Sequence, residues 1–180
     1  MDQHESLKEL FEEINFKITR LASNGELAQL KRQKPDEPPP PAFYRIAMPS
    51  LENYKFYPTA DEKKAMVFEK NLMVLLCAMA SDASMFNPSV SLGVALSNAG
   101  YPELRFYRLL KANEDALRKQ VCYMCKYLSS KGISGNISEA FELMKSHSDS
   151  EVAQIVRRKI SRDYYRSQAL NNKSEENKNV

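Results

Sequence analysis

Three groups of basic residues recur at helical spacing and could bind phosphate groups. They are Arg105, Arg108 and Lys111; Arg158, Arg162 and Arg166; and Lys31, Arg32 and Lys34, with Arg45 nearby in sequence. Guanidinium and ammonium groups donate charge-assisted hydrogen bonds to phosphate oxygens, and such contacts follow the nucleic-acid backbone without reading the bases. The plain alternative is a solvated helix face. Because few acids lie between these cations, the phosphate-binding interpretation is favoured.

Two further patterns suggest metal chemistry. Cys122 and Cys125 form a C-x-x-C pair, but a zinc site needs two more ligands, and only Cys77 and two histidines in polar sequence remain. On a helix Cys125 falls on the apolar side, which predicts a buried thiol. Asp36 and the Glu62-Lys63-Lys64 segment match a loose metal-nuclease pattern, yet one lies beside a proline run and the other opens a helix. No catalytic group or metal ligand set is therefore predicted.

The segment 91–111 places the first cationic group on a helix–corner–helix unit. Asn98-Ala99-Gly100 predicts the end of one helix, and Pro102 suits the start of the next. At 100° per residue, Phe106, Leu109 and Leu110 share a face roughly opposite the cations. A DNA-reading helix would present its first residues to the bases, but here these are Pro102, Glu103 and Leu104. Sequence-specific readout through this unit is therefore not expected.

Composition places the chain among all-α proteins. It has 180 residues, 43% of them hydrophobic, only five glycines, and a formal net charge of +3. Apolar residues recur mostly three and four apart, which is the helical period. Three cysteines and no signal-like start predict a reduced, cytoplasmic protein. The longest apolar run, residues 72–80, is about half of the ~18 residues that would predict a membrane span.

The apolar pattern predicts a series of helices in a bundle, grouped into two packed subdomains. The predicted helices cover residues 5–22, 26–32, 42–48, 61–80, 114–128, 137–145 and 150–170, besides the pair within 91–111. The helix at 61–80 is apolar nearly all round, so we expect it to be the buried centre of the N-terminal half. The acidic cluster near residue 113 predicts subdomains at 1–112 and 113–170, with one shared core as the alternative, followed by a polar, disordered tail at 171–180.

Several blocks of the chain together resemble the CasB family, the small subunit of the type I-E CRISPR Cascade complex. The blocks are GELAQLKR at 25–32, PAFYR at 41–45, SLG at 91–93 with Ala95, Leu96 and Gly100 after it, and the basic helix at 105–111. Their order and spacing resemble that family over about residues 25–120. The chain departs from it at Val94, where a basic residue is expected, and in the run Pro38–Pro41.

The resemblance implies an all-helical protein of CRISPR antiviral defence that lacks catalytic activity and needs no cofactor. Two copies would lie along the inner face of an RNA-guided complex and contact its backbone subunits and large subunit. They would help to hold guide RNA and target DNA, and the displaced strand once the R-loop opens. Matched to this chain, the nucleic-acid contacts would be Lys31, Arg32, Arg45, Arg105, Arg108 and Lys111, with Arg157, Arg158 and Arg162 as a looser correspondence.

The sequence thus predicts a non-catalytic subunit that binds nucleic acid without sequence preference. The alternative is a helical protein–protein adaptor whose arginine groups meet acidic patches on a partner and which does not bind nucleic acid.

Overall fold

The computed structural model describes residues 3–35, 37–54, 57–145 and 151–176. Over those ranges the chain forms nine α-helices, one short 3-10 helix and no β-strand, so the predicted all-α class is confirmed. The contacts divide the chain into two compact units, Met1–Phe86 and Asn87–Val180. No helix in the described ranges is long and apolar enough to cross a membrane.

The N-terminal unit is built from four α-helices. They are α1 (Gln3–Arg20), α2 (Asn24–Arg32), α3 (Pro41–Leu51) and α4 (Glu62–Ser81), and the 3-10 turn Ala83–Met85 follows them. The apolar residues of α1, which recur three and four apart, are buried from Leu7 to Ile18, whereas Leu21 lies beyond the end of the helix and is 67% exposed. Residues 71–76 of α4 are buried on every side, as expected for a central helix. Met66 and Val67, one turn earlier, are about half exposed.

The C-terminal unit contains five α-helices. They are α5 (Leu92–Asn98), α6 (Glu103–Lys111), α7 (Glu114–Ser130), α8 (Ser138–Lys145) and α9 (Glu151–Glu176). The apolar face of α7 is buried and comprises Leu117, Val121, Met124, Cys125 and Leu128. Of the helix pairs in this unit, α5 and α9 pack most extensively.

A glycine allows α5 to lie directly on the backbone of α9. A β-carbon at Gly93 would overlap the carbonyl oxygen of Ile160 and would lie 2.8 Å from the backbone nitrogen of Tyr164. Nearby, the carboxylate of Glu139 accepts a 2.9 Å hydrogen bond from the Leu92 N–H and pairs with Lys159 at 3.1 Å. Because α9 carries one of the cationic groups, this packing fixes where that group lies in the unit.

The structure differs from the predicted organisation in three places. The division into units falls at Phe86/Asn87, not at residue 112, since the acidic cluster forms the first turn of α7, where carboxylates favour the helix dipole. Residues 171–176 continue α9 as a helix, and 177–180 lie outside the described residues. Pro49 does not end α3, which extends to Leu51 with the Glu52 N–H bonded to the Met48 carbonyl.

Candidate nucleic-acid interface

Helix α6 presents the first cationic group to solvent. The preceding helix stops where Gly100 takes a positive φ of 65°, and Pro102 then stands at the N-cap of α6 with extended backbone. Arg105, Arg108 and Lys111 are all exposed. None of the three forms an ion pair with any residue in the described ranges. We call these three residues the α6 row.

The opposite face of α6 is anchored in the core of the C-terminal unit. Phe106 is 1% exposed, and its ring stacks on that of Tyr164 in α9 with centroids 4.0 Å apart. The Tyr164 hydroxyl in turn donates a 2.6 Å hydrogen bond to the carbonyl of Tyr101, just before α6. Burial raises the pKa of Tyr164, so the phenol stays protonated as this donor. The α6 row therefore projects from a rigid support.

Helix α9 carries the second cationic group along its exposed side. Arg158, Arg162 and Arg166 are exposed and follow one another at one-turn intervals. Arg162 forms a long ion pair with Asp163, in which its Nε lies 3.4 Å from a carboxylate oxygen. Of the apolar residues near the start of α9, Val156 and Ile160 are buried, whereas Val152 is 60% exposed. We call Arg158, Arg162 and Arg166 the α9 row.

One hydrogen bond joins α9 to the start of α6. The hydroxyl of Tyr165 donates to Oε1 of Glu103 at 2.8 Å, and this bond is the main reason that the pKa of Tyr165 is raised. The rings of Tyr165 and Phe106 also meet edge to face, with centroids 6.0 Å apart. The α6 and α9 rows therefore belong to one packed pair of helices.

Arg157 lies away from the α9 row. It is half-buried, and its position on the helix is roughly 100° from Arg158. The family resemblance assigned three arginines to this region. Arg158 and Arg162 are exposed and accessible to a ligand, whereas Arg157 is half-buried and less accessible.

The cations of the N-terminal unit are partly neutralised. Lys31 and Arg32 are exposed in the last turn of α2. Arg45, however, pairs with Glu26 at 3.3 Å, and Lys34 pairs with Glu37 at 3.5 Å. The pKa of Glu26 is lowered, chiefly because the N–H and hydroxyl of Ser23 donate to its carboxylate and less because of Arg45. Glu26 therefore stays ionised and offsets the charge of Arg45.

Among the residues that the structure describes, the patterns that suggested metal chemistry bring no set of metal ligands together. Cys77, Cys122 and Cys125 form no disulfide within the described residues, and Cys125 is buried as predicted. Over the described residues, no group of three or more His, Cys, Asp or Glu side chains could hold a metal ion. Asp36, the first acid of the nuclease-like pattern, lies outside those residues.

Tyr107, an aromatic residue next to the α6 row, was not identified from the sequence. Tyr107 is 57% exposed, and the Nζ atom of Lys111 lies 5.7 Å from its ring centroid. Leu104, one turn earlier, is 63% exposed. A helical wheel could have found both, since Tyr107 lies about 40° and Leu104 about 20° from Lys111.

Fold and surface together define an all-α protein of two helical units with cationic helix faces. The chain belongs to the CRISPR-associated protein Cse2 family, whose sequence model matches residues 26–165. CasB and Cse2 denote the same family, so the resemblance predicted from the sequence blocks is confirmed.

A solved structure supports the same fold. One chain of the crystal structure of E. coli Cascade bound to a PAM-containing double-stranded DNA target matches with a TM-score of 0.59 and 18% sequence identity. The match covers 89% of this chain and 95% of that chain. At this level of identity, the likeness extends to the fold alone. No curated protein sequence gives a significant match.

Proposed function

We propose that this chain is a non-catalytic subunit of a type I-E Cascade complex that binds nucleic acid through its phosphate backbone, without sequence preference. The observation that carries the proposal is the α6 row, three exposed cations without an acidic partner in the described ranges, held on a helix whose other face is buried. The α9 row, on a helix packed against α6, adds three more exposed arginines to the same unit.

The proposed ligands are the guide RNA, the target DNA and the displaced strand. Membership of the Cse2 family supports this choice, as does the fold shared with a chain of a DNA-bound Cascade. Opening an R-loop exchanges one duplex for another of similar stability, so backbone contacts from protein help to tip the balance. Such a role needs cations at fixed positions and no group that reads bases or performs catalysis.

The proposed protein partners are the backbone subunits, the large subunit and a second copy of this chain. Val152 and Ile155, near the start of α9, are each 60% exposed and lie one turn apart. An exposed apolar pair next to a cationic row is suited to a contact with protein. This pair also supports the adaptor alternative, which differs by excluding nucleic acid.

Binding to unrelated sequences tests the proposed function. We expect the purified chain to bind two single strands of equal length and unrelated sequence with Kd values within about threefold of each other, because phosphate contacts are common to both. Fluorescence anisotropy at low salt measures these affinities. Strong preference for one sequence would contradict a backbone-binding role, and no binding to either strand or to duplex would favour the adaptor.

The same samples test the absence of catalysis. Incubation of the labelled strands with the protein and Mg²⁺ or Mn²⁺ should leave them intact on a denaturing gel. Cleavage that disappears with a chelator would overturn the non-catalytic part of the proposal.

A further inference from the structure

Tyr107 differs from the tyrosines around it in the exposure of its ring and in the hydrogen bonding of its hydroxyl group. Tyr101 and Tyr164 are buried, and the Tyr165 hydroxyl is bonded to Glu103. The Tyr127 hydroxyl donates to the Gly100 carbonyl at 2.9 Å. Tyr107 is 57% exposed and makes no such bond within the part of the chain that the structure describes. Its ring therefore contributes little to the core and is available to a ligand.

The surroundings of Tyr107 suit a nucleic-acid strand. Lys111 lies one turn after Tyr107 on the same side of α6, with its ammonium 5.7 Å from the ring centroid, and the exposed Arg108 is the next residue along the helix. An aromatic ring among cations is the combination that single-strand-binding proteins use, since the cations follow the phosphates while the ring stacks on a base. In a duplex, neighbouring base pairs cover the base faces, so an exposed ring finds no stacking partner.

We propose that Tyr107 stacks on an unpaired base of a single strand whose phosphates are held by the α6 row. This inference rests on the proposed function and adds to it a preference for single-stranded over double-stranded nucleic acid. Stacking is tolerant of sequence because every base has an aromatic face, so the lack of sequence preference is retained.

Removing the ring separates stacking from charge. Tyr107→Leu removes base–aromatic stacking and should weaken binding of an oligothymidine strand about tenfold, which corresponds to about 1.4 kcal/mol. The same variant should bind an abasic strand of equal length, and a duplex, within about twofold of the unmodified protein, because the phosphate contacts remain. Tyr107→Phe keeps the ring and should bind all three ligands normally. Fluorescence anisotropy with the full chain measures each affinity.

Two matched variants locate the effect. Leu104→Ala removes an exposed apolar side chain from the same face of α6, and Tyr123→Leu removes a 61% exposed ring from α7. Both should bind oligothymidine normally. The proposal is overturned if Tyr107→Leu leaves oligothymidine binding unchanged, if it weakens abasic and oligothymidine strands equally, or if Tyr123→Leu has the same effect.

The stacking proposal and the proposed function can fail separately. If Tyr107→Leu has no effect while charge reversal at Arg105 and Arg108 removes binding to the abasic strand, only the stacking proposal is wrong. If the unmodified chain binds neither strand, both are wrong.

Discussion

Reversing Arg105 and Arg108 to glutamate should remove most of the nucleic-acid binding of this protein while the fold stays intact. Each side chain is exposed and has no acidic partner in the described residues, so the change breaks no ion pair among them. A charge-assisted hydrogen bond contributes about 1.5 kcal/mol or more, so the loss of two predicts an affinity lower by roughly 100-fold on every sequence. The slope of the logarithm of the association constant against the logarithm of salt concentration should also become less negative by about two, because two phosphate contacts are lost. Anisotropy at several salt concentrations measures both quantities.

A matched charge reversal elsewhere controls for net charge. Lys8→Glu with Lys63→Glu changes exposed lysines of α1 and α4 that lie outside all the cationic groups. Both double variants lower the formal charge from +3 by four, to −1. The lysine variant should lose far less affinity than the arginine variant. Equal losses would mean that overall charge, not the α6 row, governs binding. A lower unfolding temperature for the arginine variant would mean that Arg105 and Arg108 stabilise the fold.

Gly93→Ala should give a large loss of stability. The added methyl group would overlap the Ile160 carbonyl oxygen and lie 2.8 Å from the Tyr164 nitrogen, and both are backbone atoms that no change of side-chain rotamer can move. Helices α5 and α9 would have to separate across the largest helix contact of the C-terminal unit. Overpacking of this kind costs about 3 kcal/mol, which corresponds to a drop in unfolding temperature of roughly 10 °C for a chain of this size. Thermal unfolding followed by circular dichroism measures it.

Gly25→Ala is the control for this substitution. Gly25 lies in the first turn of α2, where the nearest atom to a new β-carbon would be the Ser23 hydroxyl oxygen at 4.0 Å. Alanine is the better helix former, so this variant should be unchanged or slightly more stable. If Gly93→Ala unfolds at the same temperature as Gly25→Ala, α5 and α9 do not pack as closely as the structure has them.

The helices and most of the core could be predicted from the sequence because they follow local rules. The stripes of α1 and α7 repeat every three or four residues and are bounded by turn residues. The corner between α5 and α6 could also be predicted from the sequence, since Gly100 takes the positive φ that its sequence context predicts. These features depend on residues within one or two turns of each other.

What the sequence did not reveal depends on residues far apart in the chain. A glycine in a short helix looks like a weak point until the backbone of α9 is found against Gly93. Arg45 looks like an available cation until Glu26, from another helix, lies 3.3 Å away. The helical residues 171–176 have a polar composition that predicts a disordered tail, but extending an existing helix costs much less than starting one.

The sequence identified the cationic residues, and the structure shows which of them are exposed and unpaired enough to be the best candidates for phosphate contacts. The α6 row is exposed and lacks acidic partners in the described ranges, whereas Arg45 and Lys34 of the N-terminal unit are paired and Arg157 is half-buried. That these residues contact nucleic acid remains a prediction, and the ranking indicates which of them to change first.

The salt dependence of binding tests the phosphate-contact mechanism most directly. With about five phosphate contacts, the logarithm of the association constant should fall with a slope of about −4.5 against the logarithm of salt concentration for duplex, and about −3.5 for single strands. Between about 50 and 200 mM salt, this corresponds to a few-hundred-fold loss of affinity for duplex and about a hundredfold for single strands. Slopes near these values would support a backbone-binding surface, and affinity that does not change with salt would contradict it.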